Sequence, residues 1–323
     1  MPDTAAARPG PEPADGAVTG APLDPDAVRE VLALGDLTVQ GRISDASNLT
    51  LRAVAELDGV AVDCVYKPVR GERPLWDFPD GTLAQREVAA YQVAVAAGWD
   101  CVPTTLLRPG PFGAGMVQQW IETAPPLDTE GLDGDEAGDP DGDDTDDGTD
   151  DADDGIDDLD TGPGPGELVD LVPEDRIPPG WLPVLRAVDM VGRDIAVVHA
   201  DVPALAVLAG FDLVVNNADR KGSHVLAAPD GRVLGVDHGL CFHCDDKLRT
   251  ILWGWAGEPL PDAVQDGLDR LATGLDGELS DRLHELLTVA EVRVFGERVA
   301  RLRRYPVFRK PPRGRTPIPW PPL

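Results

Sequence analysis

Cysteine is scarce in this sequence: Cys64, Cys101, Cys241 and Cys244 are all it has in 323 residues. Four scattered cysteines make no disulfide framework, so reduced thiols and a cytoplasmic location are expected. Long apolar runs are missing as well. None approaches the roughly 20 residues that cross a bilayer, and no transmembrane segment is expected. Basic residues are outnumbered, 28 Lys and Arg against 58 Asp and Glu, for a net charge of −30. That balance argues against nucleic acid as a partner. The opening MPDTAAARPGPEPADG has neither the basic flank nor the apolar centre of a secretory signal. Residues 1–22 read as a disordered tail.

Much of the negative charge is local. Between Asp128 and Asp160 stand 16 Asp and 2 Glu with no Lys or Arg, which leaves the remainder at −12. Like charges at that density repel and support no core. A calcium-binding EF-hand loop needs Gly at its sixth position and Glu at its twelfth. Asp139, Asp141 and Asp143 open such a loop correctly, but Asp144 stands where Gly is required and no suitable Glu follows. Residues 123–166 therefore read as an acidic disordered insertion at the boundary between two lobes.

What remains has 42% hydrophobic content and length enough for a substantial core. Residues 23–122 read as an N-terminal lobe. Asp24 is a candidate cap for a short helix to Leu34, with Pro25 in its first turn. Leu37–Ile43, Leu49–Leu57 and Val60–Tyr66 read as strands, the last two joined by a two-residue turn at Asp58-Gly59. Thr82–Ala97 reads as a helix with Thr82 as cap, Gln85 completing a capping box, and Ala84, Val88, Tyr91 and Val95 on one face. Val102–Leu107 and Met116–Trp120 read as two more strands, separated by a Gly/Pro loop, Pro109–Gly115. In the second lobe, 167–305, helices are expected over Val184–His199, Val202–Val215, Asp262–Leu275 and Leu279–Arg303. A Pro-rich basic tail, 306–323, is expected to be extended.

The candidate site centres on Asn216 to Leu226, followed by Val236-Asp237-His238-Gly239. Two short apolar runs around Pro229-Asp230-Gly231 form a hairpin, with Asp219 before its first strand and Asp237 at the exit of its second. Carboxylates so placed can face one cleft, one orienting a hydroxyl and the other holding Mg²⁺. Lys67 ends an apolar strand and Glu87 lies in the second turn of the following helix; such a pair holds an ammonium against nucleotide phosphates. The polar connection Gly41–Asn48 either lies over phosphates, with Ser44, Ser47 and Asn48 among the donors, or is an ordinary hairpin loop. It is not a Walker A sequence. The connector around Gln119 and Trp120 could meet an adenine through its backbone.

Assembled, these residues resemble the phosphoinositide-kinase-like branch of the protein-kinase-like superfamily and its HipA-type relatives. The nearest resemblance is to an actinobacterial family described as phosphatidylinositol 3- and 4-kinase-like, over roughly Leu37 to Gly257. The superfamily's loop reads Asn-x-Asp-x-His-x-x-Asn ahead of a hairpin ending Asp-x-Gly, and Asn217, Asp219 and Asp237-His238-Gly239 match it. The resemblance implies an α+β, two-lobed, protein-kinase-like fold with a β-rich N-lobe and a mostly helical C-lobe. It also implies ATP with Mg²⁺ or Mn²⁺, Asp219 at the acceptor hydroxyl, Asp237 on the metal, and Lys67 with Glu87 positioning phosphate. Two positions depart: Lys221 stands where His is expected and His224 where Asn is expected. His224 can ligate a divalent metal, Mn²⁺ more readily than Mg²⁺, and Lys221 can neutralise charge on a transferred phosphoryl group.

Transfer to a hydroxyl acceptor (lipid, protein or small molecule) is the reading expected, with a nucleotide-binding, pseudokinase-like interaction module as the alternative. A zinc site at His238, Cys241, His243 and Cys244 is disfavoured, because structural zinc draws its ligand pairs from two separate segments.

Overall fold

The computed structural model describes residues 23–43, 48–73, 75–78, 83–123 and 167–323. Ser44, Ser47, the Thr82 cap and the acidic insertion lie outside them. The first half is built on an antiparallel sheet of β1 (Asp36–Arg42), β2 (Leu51–Leu57), β3 (Val60–Pro68), β4 (Thr105–Gly110) and β5 (Gly113–Gln119), in the order β1-β2-β3-β5-β4. Asp58 and Gly59 adopt φ of 50° and 82° between β2 and β3, the left-handed pair that a two-residue hairpin needs. Helix α1 (Pro25–Leu34) is capped by Asp24, whose carboxylate accepts the Asp26 N–H at 3.0 Å.

The two-residue period of β3 decides what each side of this sheet does. Val62, Cys64 and Tyr66 point to one face and join Val28, Val31 and Leu32 of α1 in a core. Lys67 therefore points to the other face. Its partner across the ladder on β5 is Met116, which packs with Ala84 and Val88 of helix α2 (Leu83–Ala97). The far side of α2 presents Ala89, Ala90, Val93, Ala94 and Ala97 to the main core of the second half. Alanine allows that close approach on both sides. Val95, expected on the buried face, is 53% exposed.

In the second half, α3 (Pro203–Val215) is buried around most of its circumference. Around it pack α4 (Asp262–Leu275), α5 (Glu278–Leu286) and α6 (Val289–Arg304). The architecture is two-lobed α+β, β-rich first and mostly helical after.

Several expectations are corrected. Val184–His199 is not a helix: β7 (Trp181–Val188) and β8 (Asp194–Ala200) pair antiparallel, and β6 (Val169–Pro173) flanks β8 on its other side. All of β8 after Asp194 is buried, so the alternation that marks a half-exposed strand is missing. Asp189 accepts the N–H groups of Val191 and Arg193 and closes the turn, with Gly192 at φ 86°. Leu279–Arg303 is two helices, divided where Thr288 and Glu291 form a reciprocal capping box. The loop expected at Pro109–Gly115 belongs mostly to the β4 and β5 ladder, which closes at Gly110 opposite Gly113. The Pro-rich tail is non-helical but not free. Phe308 and Ile318 are buried, and Pro317 O accepts from Thr250 N and Trp253 Nε1.

Among the described residues no helix is long and apolar enough to cross a membrane.

Candidate active site

Asn216 closes α3 in the left-handed conformation, at φ 57°. Its side chain donates to His243 O and Asp245 O at 3.0 and 2.8 Å and accepts the Lys247 N–H at 3.1 Å. The chain is thereby turned out of α3 into the Asp219 loop. Asn217 Oδ1 accepts the Asp219 N–H at 3.0 Å, and its amide donates to Asp212 at 2.9 Å. Strands β9 (Val225–Ala227) and β10 (Val233–Gly235) then make the expected hairpin. Asp237 leaves it at φ 59°, a conformation that Asp tolerates better than most residues.

Behind this loop lies a buried ion pair. Arg220 and Asp212 have no exposed side-chain surface, and Arg220 Nη2 and Nε meet the Asp212 carboxylate at 2.9 and 3.0 Å. Burial works against the Arg220 charge, and Asp212 more than offsets it. The remaining donors of Arg220 reach His224 O and Val236 O at 3.0 Å each, and His238 Nε2 at 2.7 Å. One guanidinium therefore ties the Asp219 loop to the strand end that presents Asp237. Because Arg220 can only donate, His238 Nε2 accepts. The other ring nitrogen, Nδ1, has no partner among the described residues. Burial and then Arg220 hold His238 well below its ordinary pKa, as a neutral ring.

Toward the N-lobe, Lys67 Nζ lies 2.7 Å from Glu87 Oε1 and 2.9 Å from Asp237 Oδ1. Burial alone would lower the Lys67 pKa, but Asp237 and Glu87 together raise it, so the ammonium persists. Lys67, in turn, holds Asp237 below the usual carboxylate range. Burial lifts the Glu87 carboxyl, opposed by Lys67 and by the His238 N–H that donates to Oε2 at 2.8 Å. Next to Glu87 in sequence, Arg86 ties α2 to the second lobe: it pairs with Glu291 of α6 at 2.6 Å and donates to Cys241 O at 2.8 Å. The Asp237 side chain is half exposed, so this cluster opens to solvent at the hairpin exit.

His224 completes the site. Its Nδ1 lies 2.9 Å from Asp219 O, and a carbonyl can only accept, so Nδ1 carries the proton. Burial lowers its pKa, leaving the ring neutral with a lone pair on Nε2. That lone pair faces Asp237 Oδ2 at 3.5 Å. Two electron-pair donors side by side repel unless a proton or cation lies between them, so their chemistry suits a shared cation. Among the described residues no group of three or more His, Cys, Asp or Glu side chains is arranged to hold a metal. Lys221 Nζ is 3.5 Å from Asp219 Oδ2, while burial raises the Asp219 pKa against that attraction.

A lysine on the third strand, a glutamate on the helix packed against that strand and an aspartate at a hairpin exit are brought together in one place. This is the arrangement by which protein kinases hold phosphate and metal. No family model matches the chain. It is 46% identical over 292 residues to "Protein Rv2133c" of Mycobacterium tuberculosis (strain ATCC 25618 / H37Rv), covering 90% of this chain and 94% of that protein. The chain belongs to that protein's family. Among solved structures it is similar to a Golgi casein kinase (12% identity, 87% of this chain and 73% of that one, TM-score 0.46). It is also similar to the Helicobacter pylori proinflammatory kinase CtkA (11% identity, 85% and 94%, TM-score 0.35).

Other expected site residues lie elsewhere or are spent. Asn48 Oδ1 accepts the Arg73 N–H at 2.9 Å, which pins the loop after β3. The Gln119 and Trp120 N–H groups go to Thr104 O and Asp63 O, both at 2.9 Å. The Trp120 ring lies under the Arg52 guanidinium at 3.7 Å. A cavity of about 610 Å³ sits between Pro173 and Ile195 and is lined by none of the candidate site residues.

Asp212 and Arg220 were not singled out from sequence. A signal existed: an aspartate inside the apolar helix sequence GFDLVV needs a buried partner, and Arg220 is the cation eight residues on.

Proposed function

We propose that this chain is an ATP-dependent phosphotransferase acting on a hydroxyl acceptor, of the phosphatidylinositol 3-/4-kinase-like kind that its loop sequence resembles. The observation that carries the reading is the Lys67 ammonium between Glu87 and Asp237, with His224 bridging from that aspartate to the Asp219 loop. Lys67 orients the phosphates of the nucleotide. Asp219 receives the acceptor's hydroxyl proton as the acceptor oxygen bonds to the γ-phosphorus and the bond to the β–γ bridging oxygen breaks, releasing ADP. Its raised pKa favours holding that proton. Lys221, beside it, offsets negative charge on the phosphoryl group in transit. Asp237 and His224 would hold a divalent cation, Mg²⁺ or Mn²⁺, which when bound neutralises phosphate charge.

The test is incubation with labelled ATP and either metal, followed by mass analysis of the protein and of a metabolite extract containing lipids. Asp219→Asn should lower transfer by about 10²- to 10⁴-fold, the range for removing a positioned general base. Nucleotide affinity should change by less than about twofold. Wild-type protein that binds nucleotide but transfers to nothing would favour the interaction-module alternative. Unaltered transfer by Asp219→Asn would remove the base assignment.

A further inference from the structure

A second cavity, of about 460 Å³, lies on the outer side of α2, away from the Lys67 cluster. Its volume is that of a small-molecule site. Three arginines line it from three different elements: Arg29 from α1, Arg108 from β4 and Arg282 from α5. No acidic side chain lines it, on a chain whose net charge is −30. Arg29 is exposed and has no acidic partner among the described residues. Arg108 spends Nη1 on Leu32 O and Nε on Pro109 O, which fixes its planar head at the cavity wall. Arg282 is held by Gln92 Oε1 at 3.2 Å and by Glu278. Val95 and Leu106 supply apolar lining, and Tyr91 an aromatic one.

We infer that this cavity binds a small organic anion, a phosphate or carboxylate carrying an apolar group. Arginine's planar donors suit the charged end, and an aromatic or aliphatic body would lie against Tyr91, Val95 and Leu106. Inorganic phosphate alone would gain only the first of these contacts. The inference concerns binding and stands whether or not the chain transfers phosphate.

The probe is phenyl phosphate, titrated into the full chain by calorimetry, with inorganic phosphate and phenol as half-ligands. Phenyl phosphate should bind saturably and more tightly than either half. Arg29→Gln and Arg282→Gln change exposed side chains and should leave the thermal midpoint in place while weakening binding at least about tenfold. Lys221→Gln, which leaves the Lys67–Glu87–Asp237 cluster intact, should leave it within about twofold, which separates this cavity from any phosphate site beside Asp219 and Asp237. Absence of saturable binding at about 10 mM would overturn the proposal. So would equal affinity in wild type and both arginine variants, or loss of binding in Lys221→Gln alone.

Discussion

Replacing Asp212 by alanine should be among the most damaging single changes in the second lobe. The side chain is wholly buried and serves three partners: Arg220 through both oxygens, the Asn217 amide at 2.9 Å and the Thr250 hydroxyl at 3.3 Å. Alanine leaves the Arg220 charge in the interior with its counter-ion gone, and breaking a buried pair on one side costs about 3–5 kcal/mol. For a chain of this size each kcal/mol moves the melting midpoint by roughly 2–4 °C, so a fall of roughly 6–20 °C is expected. The decisive comparison is a double-mutant cycle by urea and thermal unfolding. Arg220→Met alone strands the Asp212 carboxylate, whereas Asp212→Ala with Arg220→Met removes both charges. The double variant should cost less than the sum of its singles, by roughly 1–3 kcal/mol. If Asp212→Ala unfolds within about 1 kcal/mol of wild type, the ion pair does not organise the loop and this account of Asp219 and Asp237 is wrong.

Two further outcomes follow from buried groups. His199, between the Gly254 N–H on Nε2 and Ala200 O on Nδ1, has its pKa lowered by burial to about 4. The unfolded chain takes up that proton near the ordinary value of about 6.5, so stability should fall as pH drops from there towards 4. One such group contributes about 1.4 kcal/mol per pH unit. His199→Gln should reduce the slope of unfolding free energy against pH by that amount, and an unaltered slope would remove the assignment. Gly267 faces Trp99 across α4, where an added Cβ would meet the indole at 2.3 Å. Gly267→Ala should therefore destabilise by about 1–3 kcal/mol despite alanine's better helix propensity; a raised urea midpoint would contradict it.

Local rules carried most of the first lobe. Asp24 before Pro25, Asp58-Gly59 between two alternating runs and the long helix up to Gly98 all found their expected places, because each signal is confined to a few neighbouring residues. The β7–β8 hairpin was missed for a physical reason. An apolar run such as Ile195-Ala196-Val197-Val198 fits a buried helix and a strand covered on both faces equally well. Only the turn at Asp189–Gly192, with its side-chain hydrogen bonds, separates the two. The Leu287-Thr288 break was similarly local, and Thr288 followed by Glu291 could have revealed it.

The site was legible to a different depth. Lys67, Asp219 and Asp237 could be named because each stands at the end of an element or in a short loop, where a charge has few structural uses, and Glu87 because it lies on the helix that follows the Lys67 strand. What joins them could not be read. Sequence separates Asp212 from Arg220 by eight residues and Arg220 from His238 by eighteen, yet a single buried guanidinium binds all of these segments. The pairing exists only after α3, its left-handed exit at Asn216 and the hairpin have brought the backbone round. The Lys67–Asp237 contact spans 170 residues and both lobes. The Asp237 carboxylate thus meets the Lys67 ammonium, which keeps it and the buried Glu87 from facing each other uncompensated. Lys67 therefore has a structural duty independent of nucleotide. Loss of transfer in a Lys67 variant says little about phosphate contact unless folding is measured beside it, whereas Asp219, outside that triad, reports on chemistry directly.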